Sequence, residues 1–122
     1  MRATMHPVSG YPRRPGTGPC LVMTTCEGDA PARTLARSIV EARLAACVQL
    51  FPVASVYRWR GEVESADEVA VHAKTDLTQV DALVAHIEAE HDYDVPEILV
   101  VPVAGGSERY LDWIVESVGS RG

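Results

Sequence analysis

The sequence is short of several things, and each shortage excludes a class of protein. Aromatic residues make up 6% of it, with one Phe, and Lys74 is the only lysine. No apolar run approaches the roughly 18 residues that a membrane-spanning helix needs. The first 18 residues, MRATMHPVSGYPRRPGTG, hold no apolar stretch of the kind that marks a secretory signal, so the default expectation is a cytoplasmic protein. Cysteines number three, Cys20, Cys26 and Cys47, with no CxxC pair. An odd, scattered set argues against a disulfide framework and against a closed zinc knuckle. Patterns of the GxGxxG, P-loop and GxSxG types are missing, which speaks against dinucleotide binding, P-loop nucleotide chemistry and serine hydrolysis.

Positive charge is also scarce. There are 11 Lys+Arg against 17 Asp+Glu, a formal net charge of −6. Arg2, Arg13 and Arg14 belong to the first 18 residues; without them 8 basic groups face 17 acidic ones, a net of −9. A body so charged repels phosphate backbones, and no nucleic-acid partner is expected.

What remains is an ordinary globular chain. Its 122 residues, 47% apolar and 23% charged, suit one domain with a core. Residues 1–18, rich in Pro and Gly, read as a flexible arm, residues 19–119 as the folded domain, and 120–122 as a short tail.

Residues 20–26, CLVMTTC, form an apolar run that suits a buried strand. Asp29 is the expected N-cap of a helix with Pro31 in its first turn. Its apolar face runs through Ala32, Leu35, Ala36, Ile39, Val40 and Leu44 and closes at Cys47. Residues 48–60 and 62–75 alternate as strands do, and Gly61 between them marks a hairpin. Asp76 and Gln79 have the spacing of a capping box ahead of a second helix, with Val80, Leu83, Val84 and Ile87 on its apolar face and its end near His91. Residues 98–103 form another apolar run. Ser107 is the expected cap of a last helix that Gly119 stops.

This order, β-α-β-β-α-β with an added C-terminal helix, is that of the ferredoxin-like α+β sandwich. Both main helices would cover one face of a four-stranded sheet. The other face, with Tyr57, Trp59, Ala70 and His72, would stay bare in a single copy, as would the edge of a long hairpin strand. A bare face and an exposed edge predict an oligomer.

Five segments in this order resemble the CutA family of divalent-cation tolerance proteins: AACV at 45–48, SVYRWRG at 55–61, Lys74-Thr75, HDYDVPEI at 91–98 and YLDW at 110–113. The resemblance covers about residues 20–118. It implies a ferredoxin-like protomer in a homotrimer, a link to tolerance of copper and other divalent metal ions, and a likeness to the trimeric PII signalling proteins. It implies no established reaction, so the chain is not expected to be an enzyme, and no tightly bound cofactor follows from it. It carries over Cys47, Tyr57, Trp59, Lys74, His91, Tyr93, Pro96 and Glu97 as a functional cluster. Where the family commonly has Pro after the loop histidine, this chain has Asp92.

Cys47 as a thiolate would be a soft ligand for copper or zinc; its plainer reading is a small buried hydrophobe. Cys26, at the end of the first strand, is a second soft candidate. His91 is a third metal candidate, or else a helix C-terminal group interacting with the dipole. Tyr57, Trp59, Tyr93 and Trp113 are expected to line a cleft between subunits, or simply to pack in an interface, where Tyr and Trp are enriched; the resemblance adds Pro96 to the cleft. Lys74 and Glu97 complete that cleft as a candidate buried ion pair, or form an ordinary salt bridge at its rim. The expected function is a trimeric metal-binding protein of the divalent-ion response, with a PII-like trimeric sensor of small molecules or a protein-interaction scaffold as the alternative. An RNA-recognition module has the same element order but would need a basic, glycine-rich strand motif. The strand EVAVHAK at 68–74 lacks it.

Overall fold

The apolar run after the N-terminal arm forms the centre of the sheet. In the computed structural model, which describes residues 16–119, strand β1 spans Pro19–Cys26 and is buried over almost its whole length. Helix α1 (Asp29–Glu41), the long strands β2 (Cys47–Trp59) and β3 (Glu62–Asp76), helix α2 (Val80–Glu90), strand β4 (Leu99–Pro102) and helix α3 (Glu108–Glu116) follow. The sheet order is β2-β3-β1-β4, and every neighbouring pair is antiparallel. This is the expected ferredoxin-like sandwich. Residues 1–15 and 120–122, which include most of the expected arm and all of the expected tail, lie outside the described residues.

The period-2 rule divides the sheet into two faces. Val22, Val71, Ala73, Val48 and Leu50 share one face and pack with Ala32, Leu35 and Ile39 of α1 and Leu83 and Ile87 of α2 into the core. The opposite face carries Met23, His72, Phe51, Leu99 and Val101, by register. Phe51, Leu99 and Val101 are 41%, 54% and 42% exposed. This is the bare face expected from the sequence. Ala70 belongs to it by register yet is buried. Helix α3 packs against β3 and β1, and Tyr110 from it meets Lys74 on the open face.

Two local expectations need correction. Asp29 is not the N-cap of α1: Gly28 holds that place in extended conformation, and Asp29 lies in the first turn, where its carboxylate accepts from Arg33 at 2.7 Å. Cys47 does not close α1. The helix stops at Glu41 because Arg43 adopts a left-handed conformation (φ 61°), and the chain then turns into β2, whose first residue is Cys47. The spacing Leu44 to Cys47 is helical, but the side chain belongs to the sheet. Arg43 is anchored in this conformation by a reciprocal tie: its Nε–H donates to Gly119 O at 2.6 Å, and Gly119 N–H donates to Arg43 O at 2.9 Å.

Asp76 does cap, though differently from a capping box. Its carboxylate accepts from the N–H and Oγ1–H of Thr78 and from Gly18 N–H, so it closes β3, starts the 3-10 turn Leu77–Gln79 and fastens the last residue of the expected arm. Gln79 makes no return bond to Asp76; its amide donates instead to Thr78 Oγ1.

Candidate functional site

Strands β2 and β3 run past the end of β1. Cys26, the last residue of β1, pairs with Val69, while β3 begins at Glu62. The loop from α2 to β4 crosses beside this end. Between the loop and the hairpin lies an open cavity of about 890 Å³. Its walls come from Tyr57 and Trp59 of β2, Tyr93, Val95 and Pro96 of the loop, and the carboxylates Glu68, Asp92, Asp94 and Glu97, with Thr25 at the end of β1.

The loop is held by one histidine and one tyrosine. His91 Nε2 lies 2.6 Å from Thr25 O, and Tyr93 N–H donates to His91 Nδ1 at 3.1 Å. A carbonyl only accepts and an amide N–H only donates, so His91 is the neutral tautomer with its proton on Nε2. Both ring nitrogens are engaged, and a metal at either would have to break one of these bonds. The rings of His91 and Tyr93 also meet, with centroids 4.7 Å apart. Further along, Tyr93 Oη–H donates to Glu68 at 2.9 Å and ties the loop to β3. Burial, that hydrogen bond, and the nearby charges of Glu68 and Glu27 push the Tyr93 phenol far above its ordinary range. It is a lasting donor.

Cys26 and His91 line a second, much smaller recess with Glu27, Pro31, Leu35, Glu90, Asp92 and Tyr93. Burial pushes the Cys26 thiol up, and the charges of Asp92 and Glu68 add to it. Cys26 is therefore a protonated thiol at neutral pH.

The candidate residues thus fall into three places. Tyr57, Trp59, Tyr93, Pro96 and Glu97 come together around the large cavity. Cys26 and His91 meet in the small recess beside it. Cys47 and Lys74 sit elsewhere, directly opposite each other in the β2–β3 register. Lys74 also pairs with Leu21 of β1, five residues before Cys26, which puts Cys47 and Cys26 roughly 16 Å apart along the strand direction. They also point to opposite faces. Lys74 Nζ–H donates to Tyr110 Oη at 3.0 Å and lies over its ring, so within one chain it reaches Tyr110 rather than Glu97. Among the described residues no group of three or more His, Cys, Asp or Glu is placed to hold a metal ion, and the cysteines form no disulfide.

Sequence reasoning missed Glu68, Asp92, Asp94 and Thr25 as parts of the cavity. Asp92 and Asp94 flank Tyr93 in the loop motif, which was a usable signal. Glu68 shares its strand face with Ala70 and His72, but nothing in the sequence announces that Tyr93 folds onto it.

Comparison with known proteins agrees with this architecture. The family model described as "CutA1 divalent ion tolerance protein" matches residues 20–117. The divalent-cation tolerance protein CutA of Pectobacterium atrosepticum is 43% identical over 106 residues, 86% of this chain and 96% of its own length. The chloroplastic protein CutA of Arabidopsis thaliana is 41% identical over 98 residues, 80% of this chain and 54% of that longer one. Among solved structures, the divalent cation tolerance protein of Thermus thermophilus superposes with a TM-score of 0.80 at 41% identity, covering 83% of this chain and 99% of that one.

Proposed function

The chain belongs to the CutA1 divalent ion tolerance protein family, and on that premise we propose that it works as a homotrimer that binds copper or another divalent metal ion and acts in the response to such ions. The observation that carries the assembly is the uncovered sheet face, where Phe51, Leu99 and Val101 stay exposed around an otherwise well-packed sheet. Apolar surface concentrated on one face is what association removes from water.

The metal is the cargo of that response, not a resident cofactor. Among its described residues one copy does not present a finished donor set: Cys26 is held as a thiol and both nitrogens of His91 are engaged. Cys47 is half-buried on the open face. A soft sulfur at that place suits copper, with the remaining ligands supplied by another copy. The names of the relatives describe tolerance of divalent cations and no reaction, and we assign none. The three cysteines fit a reducing compartment, and we place the chain in the cytoplasm. No helix of the described residues is long and apolar enough to cross a membrane.

Light scattering at micromolar concentration, followed by copper titration of the wild type and of Cys47→Ala, tests the reading. Three copies and a weakened affinity in the variant are expected. A folded single copy overturns the assembly, and equal copper affinity removes Cys47 from it.

A second reading, a PII-like trimer that senses a small molecule, is favoured by the cavity. Its volume of about 890 Å³ lies within the usual range of small-molecule sites, roughly 300–1,000 Å³.

A further inference from the structure

The lining of the large cavity is chemically one-sided. Four carboxylates face it, from Glu68, Asp92, Asp94 and Glu97, and among the described residues that line it there is no Lys or Arg. The chain as a whole is acidic, and the charged side chains in this described lining are all of one sign. The aromatic rings of Tyr57, Trp59 and Tyr93 share the lining with them, the first two little more than half covered. We propose that this cavity binds an organic cation, an ammonium or amidinium group carried on an apolar or aromatic body. The proposal rests on the small-molecule reading given above and names the ligand class for that site.

Two kinds of force converge on such a group. Carboxylates attract the charge, and the faces of electron-rich rings attract a cation through their quadrupoles. The protein already shows the second in miniature. Arg60, at the hairpin turn beside the cavity, lies over the Trp59 ring at 5.5 Å from its centroid. The perturbed neighbours report the first. Tyr93 and Cys26 are both driven toward their protonated forms, in each case first by burial and then by acidic side chains that face the cavity or adjoin it.

The same lining excludes the main rivals. A nucleotide or another phosphate ester would bring negative charge against four carboxylates with no lysine, arginine or helix start among the described lining residues to receive it. The occupant therefore differs in sign from a phosphate ligand. A bare metal ion needs several donors within coordination distance of one point, and no such group occurs among the described residues. An ammonium or amidinium ion with an apolar body uses both the width of the cavity and its spread-out charges.

Three molecules of one shape and three charges test this on the full chain in solution: benzamidine, benzamide and benzoate, followed by calorimetry. Benzamidine is expected to bind, benzamide to bind at least about tenfold more weakly, and benzoate not at all. The double variant Asp94→Asn with Glu97→Gln, and separately Trp59→Leu, should each weaken benzamidine about fivefold or more while circular dichroism and oligomeric state stay unchanged. Trp59→Leu removes the ring and the double variant removes charge, so a fold defect in one leaves the other as a test. Benzoate binding as well as benzamidine would overturn the cationic class and leave a small-molecule site standing. If none of the three binds, the small-molecule reading falls with it. Undiminished benzamidine binding in both variants would place the site elsewhere and overturn the proposal.

Discussion

His91 and Thr25 are joined side chain to backbone: the imidazole Nε2–H donates to the Thr25 carbonyl at 2.6 Å, across 66 residues of sequence. With Tyr93 N–H on its other nitrogen, this ring holds the cavity loop against the end of the central strand. Replacing His91 by Ala leaves a backbone donor and an acceptor without these partners, at a cost of about 1–3 kcal/mol. Amide exchange across residues 92–97 should quicken in His91→Ala while the core of α1 and β1 stays protected. Equal exchange in variant and wild type would show that the loop does not depend on this ring.

Alkaline pH should weaken the fold. Tyr93 and Cys26 both hold their protons more tightly folded than unfolded, for the ordinary values are 10.0 and 9.0. Below the ordinary values neither state loses these protons, and the stabilisation is whole. Above them the unfolded chain releases protons that the native one retains, so stability falls as pH rises from about 9. Denaturation midpoints between pH 8 and about 11 should decline, and less steeply in Tyr93→Phe. Tyr93 should resist ionisation in an ultraviolet titration of the native protein, and that resistance should vanish in the variant.

Asp76 is buried and receives three hydrogen bonds. Asp76→Ala removes the acceptor for Gly18 N–H and for both donors of Thr78. A loss of about 2–3 kcal/mol in urea denaturation is expected, with Asp76→Asn losing less because one amide oxygen remains. A neutral effect of Asp76→Ala would mean that water replaces all three bonds.

The uncovered face gives a prediction that does not involve ligands. Phe51→Glu with Val101→Glu places two charges where the assembly is expected to exclude water. Light scattering should report a smaller particle, while far-ultraviolet dichroism keeps the mixed α and β signal. Persistence of the wild-type assembly would move the contact to another surface.

Much of this was readable from spacing. Period 2 through residues 48–60 and 62–75, and the 3.6 period through Ile39 and through Leu83 and Ile87, reflect which side of each element meets the core, and burial imposes that pattern locally. Cys47 misled because its offset from Leu44 fits a helix, while the turn at Arg43 depends on a hydrogen bond to Gly119, which lies 76 residues away. The site divided in the same manner. Tyr57 and Trp59 share a strand face, and Tyr93, Pro96 and Glu97 share a loop, so their grouping was legible in short segments. That Lys74 and Cys47 lie away from them follows from the register of β3 with β1, a non-local quantity that no short motif records.

The hairpin extends beyond the sheet. Residues 62–68 of β3 pair with β2 alone, a two-stranded ribbon roughly 23 Å long with Val56 and Val63 open to water. Such a ribbon is marginal by itself. In the trimer proposed above its order would be borrowed from a neighbouring copy, and dilution should then melt the projecting arm before the central strands loosen. The concentration of the protein would then set how much of its own cavity wall exists at any moment.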